Sequence, residues 1–127
     1  MEASQKGLLN ALLRRQKINE QIKDYISKYS SEVIDLFEDI RDIIYGISEI
    51  SVNEVMWAKI PSYYMGERFV RLIPFKDHIN VEARRISEHK DELMGYKITP
   101  KGMLQIFIGE DIPKDALGII FKQTLAE

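Results

Sequence analysis

Cysteine is absent from this chain, so disulfide staples, thiolate catalysis and cysteine-ligated zinc or iron–sulfur centres built from its own residues are excluded. Histidine is scarce: His78 and His89 are the only two, and their separation matches neither HxxxH nor HxH, so a zinc enzyme is not indicated and each reads as a surface or edge residue. No sign of charge dominates, because 18 basic and 20 acidic residues leave a net charge of −2. That balance supplies no field to draw the chain onto phosphate backbones. The basic spots Arg14-Arg15-Lys17 and Arg84-Arg85 are short and lack interleaved aromatics, so no nucleic-acid partner is expected. Long apolar runs are missing too. Leu8-Leu9-Asn10-Ala11-Leu12-Leu13 is too short and interrupted for a signal core, and Glu2 stands where positive charge belongs. Nothing approaches the roughly 20 apolar residues of a membrane span. The expectation is a cytoplasmic protein with no membrane partner. There is no GxSxG elbow and no Gly-rich phosphate loop, and local spacing assembles no acid–base or nucleophile pair, so the chain reads as noncatalytic. Lys97 and Lys101 flank a turn that reads as solvated, with an anion contact as the alternative.

What is present is enough apolar material for one core: 45% of the 127 residues are hydrophobic and 30% are charged. Residues Ser4 to Tyr29 carry Leu8, Leu12, Ile18, Ile22, Tyr25 and Tyr29 at helical steps, thinly enough between Leu12 and Ile18 to suggest two pieces. Residues 1–23 read as a helical extension and residues 24–127 as the domain. Ser30-Ser31 offers a cap for a second helix, and Gly46 offers its C′ stop. Val33, Leu36, Phe37, Ile40, Ile43, Ile44 and Ile47 fall within about 120° of one another at about 100° per residue.

Downstream the period shortens. Glu54 to Ala58, Tyr63 to Met65, Phe69 to Ile73, His78 to Glu82 and Met103 to Ile108 read as strands. Pro61, Met65-Gly66-Glu67 and Lys76-Asp77 read as turns between them. A short helix is expected over Ile86 to Leu93. A last helix is expected with Pro113 at its first position, and Ala116, Leu117, Ile119, Ile120 and Leu125 packing back. The fold class is α+β: a two-layer sandwich with an antiparallel sheet of about five strands and the N- and C-terminal helices on one face.

Asp24-Tyr25-Ile26 before the helix SSEVIDLFEDIRDII, then EVMWAKIPSY, then FKDHINV, then ELMGYKITPKGMLQIFIGEDIP leading into the final helix form a series that resembles the YdhG-like domain family. That family is loosely grouped with frataxin-like bacterial intracellular iron chaperones. The likeness runs from Asp24 to about Ala126, and departs at the helix entrance, where Ser-Ser stands for the usual Leu-Pro, and over Glu82 to Asp91, which lacks the usual prolines. It implies weakly bound iron on an acidic helix face, delivered to an iron-acceptor protein. Glu32, Asp35, Glu38, Asp39 and Asp42 share the polar face of the second helix, and their oxygens suit labile iron; the plainer reading is a solvated face.

The aromatic group Trp57, Tyr63, Tyr64 and Phe69 has two readings. It is core, or Trp57, Tyr63 and Phe69 line the surface of a module for a small ligand or a protein segment.

Overall fold

A computed structural model describes residues 18–47 and 51–127. The expected extension over residues 1–23 therefore lies largely outside the described residues. Within them, helix α1 is Glu20–Ile26, shorter than the run to Tyr29. Asn19 caps its start, its Oδ1 accepting from the Gln21 and Ile22 amides at 2.8 and 3.3 Å. The expected boundary after residue 23 falls inside this helix, and Ile22 on one side of it and Ile26 on the other are both buried in the one core.

Helix α2, Ser31–Gly46, is capped by Ser30 Oγ, which accepts from the Val33 amide at 3.2 Å. Val33, Leu36, Phe37, Ile40 and Ile44 form its buried stripe, as the 3.6-residue period requires. Gly46 is the helix's last residue rather than a left-handed stop, and Ile47 caps it with φ −77°. Arg41 stands four residues after Phe37, so the same period carries a guanidinium into the apolar stripe, where it is only 1% exposed.

The sheet has six antiparallel strands in the order β1-β2-β3-β4-β6-β5. They are β1 Asn53–Trp57, β2 Ile60–Met65, β3 Arg68–Pro74, β4 His78–Glu82, β5 Lys97–Ile98 and β6 Leu104–Phe107. The strand beyond the expected five is β5, whose two residues are too few to show a period. Pro61 lies inside β2 rather than in a turn. Its ring does no harm, because the β2–β3 ladder begins only at Ser62↔Arg71 and no ladder hydrogen bond is lost. The turn is instead Ala58-Lys59.

The short helix expected over Ile86 to Leu93 is two 3₁₀ turns, Arg84–Glu88 and Lys90–Leu93. Pro113 caps helix α3, Lys114–Ala126, from outside rather than opening it. Leu117, Ile120, Phe121 and Leu125 of α3 are buried, whereas Ile119 turns away and is 47% exposed.

The helices and the inner sheet face make the two layers. Alternation sends Tyr63, Val70, Leu72, Ile79, Val81, Leu104 and Ile106 inward, where they meet α2 and α3. Full burial of each such side chain contributes about 1.5–3 kcal/mol relative to exposure. At one sheet edge, the Glu54 carbonyl accepts from Asn19 Nδ2 at 3.4 Å, so α1 partly closes the β1 edge against another strand. The other edge strand, β5, is too short to recruit one.

Two hairpins differ in how they obtain their left-handed residues. Gly66, at φ +64°, supplies the one between β2 and β3 without a Cβ penalty. Between β1 and β2, Ala58 and Lys59 adopt φ +49° and +66° with no glycine or asparagine to ease them. A two-residue turn with both φ positive matches the twist of the strands but costs an L-residue about 1–2 kcal/mol per position. Ala58→Asn with Lys59→Gly is therefore expected to raise unfolding stability by about 1–2 kcal/mol, read as a higher urea midpoint at constant slope. An unchanged midpoint would contradict the strain.

Candidate functional site

The outer face of the sheet carries the side chains that alternate with the core. One row across it is Val55, Ser62, Arg71 and Glu82; the next joins Tyr64 to Phe69. Arg71 organises this half of the face. Its guanidinium carbon lies 3.9 Å from the Trp57 ring centre and 3.6 Å from that of Phe69. Its Nη2 donates to Tyr64 Oη at 2.8 Å, its Nε to Ser62 Oγ at 3.3 Å, and its Nη1 faces Glu82 Oε1 at 3.5 Å. An arginine laid across strands buries its stem on apolar surface and stacks its flat head on aromatic rings. The result is a residue only 8% exposed on the face without a helical layer, while Trp57 beside it is 49% exposed.

The far end of the same face is a second aromatic set. His78 stacks on Phe75 and on Phe107 with 4.6 Å between ring centres in each case. Its Nδ1 is 2.8 Å from Asp77 Oδ1. His89 is elsewhere, joining the second 3₁₀ turn to α3 through Gln123 Oε1 at 2.7 Å.

The three expected surface residues are thus split. Trp57 and Phe69 come together on the outer face. Tyr63 does not: it stands opposite Glu54 in the ladder and is fully buried among the core residues, edge-on to Tyr45 at 6.1 Å between ring centres. Burial first, then the Glu54 carboxylate, pushes its phenol well above the ordinary tyrosine range, so it is a neutral core group. The parity of the strand separates Tyr63 from Trp57, since successive side chains in β2 point to opposite faces. Arg71, the residue that sequence reasoning missed, shares the period-two set Phe69, Arg71, Ile73, which was the available signal.

The inner end of β1 holds a buried ion pair. Arg41 Nε and Nη2 donate to Glu54 Oε2 and Oε1 at 2.5 and 3.0 Å, and Oε1 also accepts from the Asn19 amide at 2.9 Å. The two side chains are 2% and 6% exposed. Burial alone would lower the guanidinium pKa, but the paired carboxylate outweighs it and holds the group above its usual value. Each charge here is paired and hydrogen-bonded, as a buried charge must be.

The five acidic residues of α2 do not share one groove. Glu32, Asp35 and Asp39 line a groove of about 270 Å³ with Glu110, Ile108 and Ile112, whereas Glu38 lines another between α1 and α2 with Ile18, Ile26 and Ile34. Asp42 is half-buried one turn beyond Glu38. Glu32 and Asp42 stand about 15 Å apart along the helix axis, far beyond the span of one coordination shell. Among the described residues, no group of three or more His, Asp or Glu side chains is arranged to hold a metal ion.

Comparison with protein-family models, with curated proteins and with solved structures finds no match for this chain. The likeness to the YdhG-like family rests on the quoted segments alone. Among the described residues no helix is long and apolar enough to cross a membrane.

Proposed function

We propose that the protein is a noncatalytic binding module that docks a segment of a partner protein on the outer sheet face around Trp57, Arg71 and Phe69. One observation carries this reading: a tryptophan left 49% exposed is held against an arginine that four other side chains lock in place. Tryptophan, tyrosine and arginine are the residues that most often dominate binding energy at protein interfaces, where rigid, pre-ordered side chains limit the entropy lost on docking. The shape also favours a segment over a small molecule. Small ligands bind in concave pockets, and the space between sheet and helices around Tyr63 is occupied by core.

The test is selection of peptides from a random library displayed against the whole chain. Trp57→Ala removes a half-exposed ring, costs about 1–2 kcal/mol and leaves the protein folded. Selected peptides are expected to lose at least tenfold in affinity for this variant. Peptides that bind wild type and variant equally would overturn the proposal. Ferrous iron is the companion titration: saturable shifts of the α2 amides from Glu32 to Asp42, abolished by Asp→Asn changes at 35, 39 and 42, would instead favour the iron-delivery reading.

A further inference from the structure

From the cavity beside Phe69 we infer that the protein has a site for a small anionic group, phosphate or carboxylate, held by Arg84, Lys101 and Ser87. The cavity is about 260 Å³ and is also lined by Glu82, Gly102 and Phe69 itself. It lies outside the buried core and outside the acidic grooves of α2. It shares Phe69 and Glu82 with the outer sheet face, but its cations Arg84 and Lys101 lie outside the set that Arg71 organises.

Three features of the chain build it. The first is a surplus of unneutralised positive charge. Arg84 makes one bond, from Nη2 to the Thr124 carbonyl at 3.4 Å, and no carboxylate pairs with it or with Lys101 among the described residues. A guanidinium has five N–H donors, so Arg84 keeps most of its fork for a ligand, and a guanidinium fork matches the oxygens of a carboxylate or phosphate. The one acid on the wall, Glu82, already faces Arg71 at 3.5 Å. Its charge is partly spent there.

The second feature is a fixed turn that presents the lysine. The Gly102 amide donates to the Thr99 carbonyl at 2.8 Å, the Thr99 amide to the Met103 carbonyl at 2.8 Å, and the Met103 amide to Thr99 Oγ1 at 3.0 Å. Gly102 sits at φ +89°, which a side chain would strain. Lys101 is thus mounted on a rigid turn, with only its own stem free. The third feature is the chemistry of the remaining wall. Ser87 adds a hydroxyl donor, and Phe69 adds an apolar side.

The test uses the full chain labelled for amide NMR, titrated separately with inorganic phosphate, acetate and chloride at constant ionic strength. Phosphate or acetate is expected to produce saturable shifts at Ala83 to Ser87 and at Lys101–Gly102. Lys101→Gln and Arg84→Gln, both at exposed positions, are each expected to raise the Kd at least tenfold while the other amides keep their positions. Preference for phosphate would assign the site to phosphoryl groups, and preference for acetate to carboxylates; either supports an anion site. Shifts that fail to saturate, that chloride reproduces, or that both variants retain would overturn it.

Discussion

Glu54→Ala is expected to destabilise the protein by about 3–5 kcal/mol, because it leaves the Arg41 guanidinium charged and buried without its carboxylate. The Asn19 amide loses its acceptor in the same change, so the start of α1 loosens together with the α2–β1 contact. A loss of that size removes much of the stability of a domain whose whole unfolding free energy is about 5–15 kcal/mol. The companion variant decides the cause. Arg41→Met combined with Glu54→Leu removes both charges and fills the space with apolar atoms, and it is expected to be more stable than Glu54→Ala alone. The measurement is urea unfolding of the wild type, the single variant and the double variant. A single variant within about 1 kcal/mol of wild type would contradict a buried pair.

Arg71→Ala is the second large effect. It removes hydrogen bonds to Tyr64 and Ser62, worth about 1 kcal/mol each, and two guanidinium–ring contacts, worth about 0.5–1 kcal/mol each. The sum is a loss of about 3–4 kcal/mol in stability by the same contributions. Its distinctive readout is Trp57, the only tryptophan, whose emission is expected to shift to the red as the ring loses its cover. Arg71→Lys keeps the charge but lacks the flat fork that stacks on Trp57 and Phe69 while reaching Tyr64, and it is not expected to restore the emission. Full recovery by lysine would show that charge alone orders the face.

How far the fold could be read from the chain depends on how local its causes are. Helix α2 was legible because its apolar side chains repeat at 3.6 residues and Ser30 provides the cap, both within one stretch of sequence. The meander was legible for the same reason at period two. Pro61 misled because its lost N–H matters only if a ladder bond is there, and that depends on where the pairing of β2 with β3 stops. Ala58 and Lys59 carry no signal for positive φ; the strands on either side impose it. β5 is two residues that pair because β6 lies alongside them.

The candidate site was less legible than the fold, since it is made of long-range contacts. Trp57 and Phe69 were found by type, but Tyr63 was placed with them although the register puts it on the other side. Arg71 shares a period-two set with Phe69 and Ile73, but its partners Ser62, Tyr64 and Trp57 reach it only once the strands are aligned. Arg41 gave one that could have been used: a charge on the apolar stripe of α2 demands a buried partner, and Glu54 is the acid at the mouth of the next strand. The acidic face of α2 is present as expected in sequence, but the helical rise spreads it along the axis and two grooves divide it.

Recognition on the outer sheet face organised by Arg71 is what the exposed Trp57 and its locked arginine favour. Amide mapping of a peptide selected against the whole chain tests it most directly. Shifts are expected to concentrate in β1, β2 and β3 at and around Trp57, Tyr64, Phe69 and Arg71, with the Trp57 side-chain N–H among the largest. Shifts confined to α2 between Glu32 and Asp42, with the Trp57 signal unmoved, would contradict it.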